Sequence, residues 1–235
     1  MIAWLQSPED FPPVACALRE PNGLLAAGGA LTPEWILAAY RRGIFPWFNP
    51  GEPILWWSPD PRMVLGPAHI RITRSLGKVL RQGRFEVRCD TAFRQVIEAC
   101  AKPREPGGGT WISPAMQAAY LRMHELGYAH SVESYHDGQL VGGLYGLALG
   151  RAFFGESMFS RRSDASKVAL AHLARYLDLT GFAVIDCQMT TPHLAALGGR
   201  EIPRADFAAG LAEWTLGGPP PAPWPARAMG TLDWS

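Results

Sequence analysis

The run His130-Ser131-Val132-Glu133-Ser134-Tyr135-His136-Asp137-Gly138-Gln139-Leu140-Val141-Gly142-Gly143-Leu144-Tyr145-Gly146-Leu147-Ala148-Leu149-Gly150-Arg151-Ala152-Phe153-Phe154 decides the fold. It reads as three strands, 130–135, 139–149 and 151–154, separated by Asp137-Gly138 and by Gly150. Asp-Gly tolerates the positive φ angles of a tight hairpin, so the strands should form an antiparallel meander. Downstream, Ser163 or Asp164 caps a helix to about Leu179, and 182–187 is an apolar strand that can be buried on both faces. Upstream, 85–88 is strand-like. Residues 91–101 carry helical periodicity through Phe93, Val96, Ile97 and Cys100, and Ser113-Pro114 opens a helix that Gly127 stops near Leu126. Two more helical segments are expected at 192–197 and 205–216. This order predicts an α+β fold with a mixed, mostly antiparallel sheet.

The first sixty residues differ in texture. Prolines recur every few residues and aromatics cluster, as in Ile44-Phe45-Pro46-Trp47-Phe48 and Trp56-Trp57-Ser58-Pro59. Such spacing forbids long helices and central strands. One helix fits, capped by Thr32 with Pro33 in its first turn and ending at Gly43; Gly28-Gly29 reads as a turn and the remainder as ordered loop. The expected organisation is a small Pro/Trp-rich unit over 1–62 and a larger one over 63–235. Residues 103–109 read as a loop, and the Pro-rich tail from Gly217 as irregular.

Composition narrows the function. The chain has 235 residues, 48% of them hydrophobic, nine Trp and a net charge of +1. This is enough for a core and too balanced for general attraction to nucleic acid. No run approaches the ~20 apolar residues of a membrane span, and the N-terminus lacks the basic and apolar regions of a secretory signal. A cytoplasmic location is expected. Four cysteines and six histidines form no close ligand pairs, so free thiols are expected in place of a zinc site. There is no phosphate-binding G-x-x-x-x-G-K-[ST] and no G-x-G-x-x-G. Gly155-Glu156-Ser157-Met158-Phe159 approaches a nucleophile elbow, but Phe stands where the second Gly belongs, and Ser157 reads as structural. Neither metal nor cofactor is expected.

Two further features stand out. Between Arg62 and Arg88 there are seven basic residues against the single acid Glu86. Arg71, Arg74, Lys78 and Arg81 share one face if the segment is helical, which suits either a phosphate backbone or a solvated helix surface. Asp186 and Gln188 end the 182–187 strand, where period two places both on one face with Cys187 opposite. They are either an active pair at a cleft or a strand-end capping pair.

Several segments together resemble the bacterial leucyl/phenylalanyl-tRNA–protein transferases. They include Arg19-Glu20-Pro21-Asn22-Gly23-Leu24-Leu25-Ala26, Tyr40-Arg41-Arg42-Gly43-Ile44-Phe45-Pro46-Trp47-Phe48 and Trp56-Trp57-Ser58-Pro59-Asp60-Pro61-Arg62. Further on come Gly109-Thr110-Trp111-Ile112, Gly155-Glu156-Ser157-Met158-Phe159-Ser160-Arg161, Ala165-Ser166-Lys167 and Ile185-Asp186-Cys187-Gln188. The resemblance runs from about residue 11 to 216. It implies a small N-terminal domain followed by a domain similar to the GNAT acyltransferases. It also implies a reaction, in which Leu or Phe, and less efficiently Met, passes from aminoacyl-tRNA to the α-amine of proteins beginning with Lys or Arg. The new N-terminus marks the product for degradation.

The resemblance assigns peptide-bond formation to Asp186 and Gln188. Chemically, Gln188 is expected to orient the amine and Asp186 to polarise it and balance its developing positive charge, with Glu156 expected to help hold the cationic acceptor. Trp47 and Trp111 are implied to contact the terminal adenosine; alone they would read as core aromatics. An apolar aminoacyl pocket is expected from Phe153, Met158, Leu170 and Ile185, with Leu144, Leu173 and Leu177. Arg71, Arg74, Lys78, Arg81 and Arg84 are expected on the tRNA backbone, and the protein is expected to be a monomer. The rivals are an acyl-CoA-dependent N-acyltransferase, which should carry a pyrophosphate loop where Arg161-Arg162-Ser163-Asp164 stands, and a non-catalytic RNA- or degron-binding adaptor, which needs no Asp/Gln pair.

Overall fold

Strand period decides where each face goes. In the computed structural model, which describes residues 2–103, 109–216, 223–227, 229 and 234, the meander is β7 (Ala129–His136), β8 (Gln139–Leu149) and β9 (Ala152–Ser160). Asp137 and Gly138 turn the first hairpin with φ of 51° and 73°. Alternate residues go to opposite faces: Tyr145, Leu147 and Phe154 to one core cluster, Leu144 and Phe153 to another. The sheet is thus buried on both sides, which explains its continuous apolar strands.

The seven-stranded sheet runs β11 (Arg200–Ile202), β5 (Arg62–Leu65), β10 (Val184–Gln188), β9, β8, β7, β6 (Glu86–Cys89). Only β10 and β9 pair in parallel; α5 (Ala165–Leu179) connects them. One face carries α1 (Pro33–Tyr40), α3 (Phe93–Cys100), α4 (Pro114–Glu125) and α7 (Arg204–Trp214). The other carries α2 (Arg74–Arg81) and α5. The short α6 (Pro192–Ala196) precedes β11. The α+β class and the mixed, mostly antiparallel sheet agree with the sequence reading.

The N-terminal segment corrects it. Besides α1 it contains a second sheet in the order β1 (Ala3–Leu5), β2 (Leu24–Gly28), β4 (Leu55–Trp57), β3 (Phe45–Pro46). These strands are two to five residues long, too short for a period to register. Pro46 is tolerated because β3 is an edge strand. A separate cluster of Leu5, Phe11, Trp35, Ile44 and Trp56 holds this sheet. Helix α1 ends as expected: Gly43 takes φ 75°, and the Gly43 and Ile44 amides bond back to Tyr40 and Ala39.

Three other expectations shift. Strand β9 continues past Phe154 to Ser160, carrying Glu156 onto the sheet. Asp164 precedes α5 at φ 66° without a side-chain cap. Arg62, counted with the basic stretch, opens β5 and is fully buried. The loop reading at 104–108 and the tail at 217–222, 228, 230–233 and 235 lie outside the described residues.

Candidate active site

The C-terminal ends of β9 and β10 open onto a cavity of about 510 Å³. Six of the expected apolar residues line it: Leu144, Phe153, Met158, Leu170, Leu173 and Ile185. They come from three adjacent strands and the facing side of α5. Phe153 lies across the sheet because position 146 is Gly; a Cβ there would sit 2.2 Å from the Phe154 carbonyl oxygen and 2.7 Å from the Phe153 ring. Leu177 is fully buried one turn beyond Leu173 and is not on the wall.

Trp47 and Trp111 line the cavity. Trp47 is 37% exposed, meets Trp57 edge to face at 5.4 Å, and its carbonyl accepts the Trp57 indole N–H at 2.6 Å. Exposed indole so braced offers a face for stacking.

The cavity lining also includes the polar side chains of Glu156 and Gln188. The Glu156 carboxylate accepts from the Tyr40 hydroxyl at 2.6 Å, the Tyr120 hydroxyl at 2.8 Å and Gln188 Nε2 at 3.1 Å. Burial pushes its pKa up to about 7, the two tyrosines oppose that rise, and the Asp186 charge adds to it. Burial and the Glu156 charge raise Tyr40 and Tyr120 well above the usual phenol value, so both remain donors. Tyr145 also lines the cavity; its hydroxyl is buried with no hydrogen-bond partner among the described residues. Cys187 is pushed up to about 12 by burial, so its thiol is no nucleophile at neutral pH.

Asp186 and Gln188 do not share a face. The pairing of β10 with β5 shifts between them, and Gln188 takes φ 62°. This bulge breaks the period-two alternation. Gln188 and Cys187 both reach the cavity, while Asp186 turns inward and is fully buried. There it accepts from Arg62 Nε at 2.8 Å and Nη2 at 2.6 Å, and its Oδ1 accepts the Gln188 N–H at 2.9 Å. Arg62 also donates to the Gly43 carbonyl at 3.1 Å, and its guanidinium lies 4.9 and 4.7 Å from the Phe45 and Phe207 ring centroids.

Arg62, Tyr40 and Tyr120 were missed as site residues from the sequence. Tyr40 sits inside a quoted motif and Arg62 ends another, whereas Tyr120 gives no signal beyond an apolar helix face. Arg71, Arg74, Lys78, Arg81 and Arg84 are all exposed. Among the described residues no ion pair involves them. Thr73 caps α2, whose outer face carries Arg74, Lys78 and Arg81 at the predicted spacing; Arg71, expected on the same stripe, precedes the helix, and its amide donates to the Leu197 carbonyl at 2.8 Å. Among the described residues no group of three His, Cys, Asp or Glu could hold a metal, and no helix is long and apolar enough to cross a membrane.

Two family descriptions match most of the chain. The leucyl/phenylalanyl-tRNA protein transferase family matches residues 64–212, and its N-terminal domain matches residues 29–60. A leucyl/phenylalanyl-tRNA–protein transferase from Azoarcus sp. (strain BH72) is 73% identical over 100% of both chains. One from Aromatoleum aromaticum is 72% identical over 95% of this chain and 94% of the relative. Among solved structures, a GCN5-related N-acetyltransferase from Kribbella flavida overlaps 72% of this chain and 60% of its own, at 12% identity and a TM-score of 0.35. With family matches over both parts of the chain and such identities, the chain belongs to the leucyl/phenylalanyl-tRNA–protein transferase family of aminoacyltransferases.

Proposed function

We propose that the cavity takes the 3′ end of an aminoacyl-tRNA and passes Leu or Phe, and less efficiently Met, to the α-amine of proteins beginning with Lys or Arg. In the cytoplasm this would mark the product for degradation. The observation that carries the reading is a single cavity lined by apolar side chains, two indoles, a carboxylate and a carboxamide.

The donor ester is already activated, so the protein's task is to orient, desolvate and manage one proton. The donor side chain occupies the space lined by the apolar side chains. Such a hole separates side chains differing by a methylene by only ~1–3 kcal/mol, so Met leaks in. The terminal adenine stacks on Trp47 or Trp111, a contact worth ~1–3 kcal/mol. The acceptor amine attacks the ester carbonyl carbon, the tetrahedral adduct collapses, and the C–O bond to the terminal ribose breaks.

Gln188 orients the amine. Its Nε2 is held by Glu156, which leaves its carbonyl oxygen to accept from the amine. Glu156 at about 7 is close to the ~7.7–8 of an α-amine. It is therefore suited to take the amine proton and return it to the leaving ribose oxygen, and its charge also favours a cationic acceptor. Asp186, shut away from the cavity, acts through the Gln188 backbone as a positioning residue. The exposed stripe on α2 takes the tRNA backbone.

The test is direct: incubate the protein with radiolabelled Leu-tRNA and a peptide beginning with Arg. Labelled peptide is expected. Acylation only with an acyl-CoA, or binding of the peptide without modification, would overturn the proposal.

A further inference from the structure

We infer that Trp224, in the C-terminal tail, is a positioning residue that holds Phe153 from behind and sets how large a donor side chain the pocket admits. The inference rests on the aminoacyl reading of the cavity given above.

Phe153 is fully buried on the cavity wall, on the α5 side of the sheet. Its inner flank is fixed by the Gly146 backbone, which leaves no slack in that direction. Another flank meets Trp224, ring centroids 5.9 Å apart and tilted by 32°. The indole is itself held. It stacks on His130 at 4.0 Å with an interplanar angle of 4°, and meets Tyr176 at 5.2 Å and Phe182 at 6.5 Å. Its backbone N–H donates to Asp90 Oδ2 at 2.9 Å, and the same carboxylate takes His130 Nδ1 at 2.8 Å and the Ser131 N–H at 2.9 Å. Strand residue, histidine and tail are therefore tied to one acid.

The tail is fastened at three more points. The Cys89 N–H donates to the Ala226 carbonyl at 3.0 Å, and Met229 is fully buried in the cluster that contains Leu173. Trp234 Nε1 donates to His172 Nε2 at 3.0 Å. His172 Nδ1 faces the Val168 carbonyl at 2.9 Å, which assigns its proton there and leaves Nε2 as the acceptor. His172 stands between Leu170 and Leu173, the two wall residues that α5 contributes. The tail thus braces two of the elements that form the apolar lining, β9 through Phe153 and α5 through His172. In a close-packed pocket, removing one brace lets the wall retreat.

The test compares kcat/KM for transfer from Leu-tRNA and from Phe-tRNA onto an Arg-started peptide by full-length W224A and W224F. The Phe-to-Leu ratio should rise about fivefold in W224A and less in W224F, the change residing in donor KM, because a methylene's worth of space in such a pocket moves selectivity by about 10-fold or more. R227A, on an exposed residue of the same tail, should leave the ratio unmoved. A merely structural Trp224 would lower both donors alike through kcat. An unchanged ratio beside an active wild type overturns this inference alone, and W224F decides should W224A not fold. A wild type that transfers neither residue overturns the underlying reading and this one with it.

Discussion

Asp186 and Glu156 lie on adjacent strands, and their surroundings are opposite in kind. Asp186 is fully buried and matched oxygen for nitrogen by a guanidinium. Glu156 meets three neutral donors, two phenols and a carboxamide, and faces the cavity. A full opposite charge makes a strut that pins β5 to β10 and holds the bulge that presents Gln188. Neutral donors tolerate either protonation state, so Glu156 is free to exchange a proton near neutrality. The same residue class thus supplies rigidity on one strand and, in the proposed mechanism, chemistry on its neighbour.

The sharpest way to break the comparison is D186L. It strands the Arg62 guanidinium in the core and should cost about 3–5 kcal/mol in urea unfolding. Adding R62M should regain at least half of that, because an apolar pair can replace a buried ion pair. A D186L protein as stable as the wild type would end the strut reading.

The second test uses pH. With Glu156 raised from 4.5 to about 7, the unfolded chain releases its proton in that window while the folded chain keeps it. Stability should therefore fall as pH rises from about 4.5 to about 7 and level off above. Glu133, also raised to about 7 by burial, contributes the same slope. The difference between wild type and E156Q isolates Glu156; E156Q should gain up to about 3 kcal/mol relative to wild type across the window. Equal slopes in both proteins would show that Glu156 is not the perturbed acid.

E156Q keeps the shape of the wall but cannot take a proton. Single-turnover transfer at pH 7.5 should drop about 100-fold, the low end for a lost general base, and the acidic limb of the rate profile should keep only the titration of the acceptor α-amine. The smallest effect is expected far from both carboxylates. R74E and K78E should each raise the KM for every tRNA by up to about tenfold and flatten its salt dependence, with the rate at saturation unchanged. A salt-insensitive KM would remove the stripe from recognition.

Most of the larger sheet could be read in advance, since long apolar runs bounded by Asp-Gly and Gly turns stand out in the sequence even without alternation. So could the placing of both indoles and of Met158 and Ile185 on the cavity, because the quoted segments carry them, whereas Leu170 and Leu173 follow from the helix beside them. The N-terminal sheet could not, since strands as short as Phe45–Pro46 have no period and their prolines argue against them. Nor could the inward turn of Asp186. Alternation is a rule for regular strands, and only coordinates reveal that Gln188 adopts a left-handed conformation. Arg62 misled for the converse reason: among basic neighbours it looks like surface, and its partner lies 124 residues away.

Strand β6 is the last in its sheet, and a bare outer strand offers its amides and carbonyls to any passing chain. Here the molecule's own closing segment occupies part of that row, with the Cys89 amide given to Ala226 and the Cys89 thiol to the Pro225 carbonyl. The tail thereby covers part of that outer row. A polypeptide ending before residue 223 would leave a ready template for self-association, most acutely in the interval before synthesis of the final residues is complete.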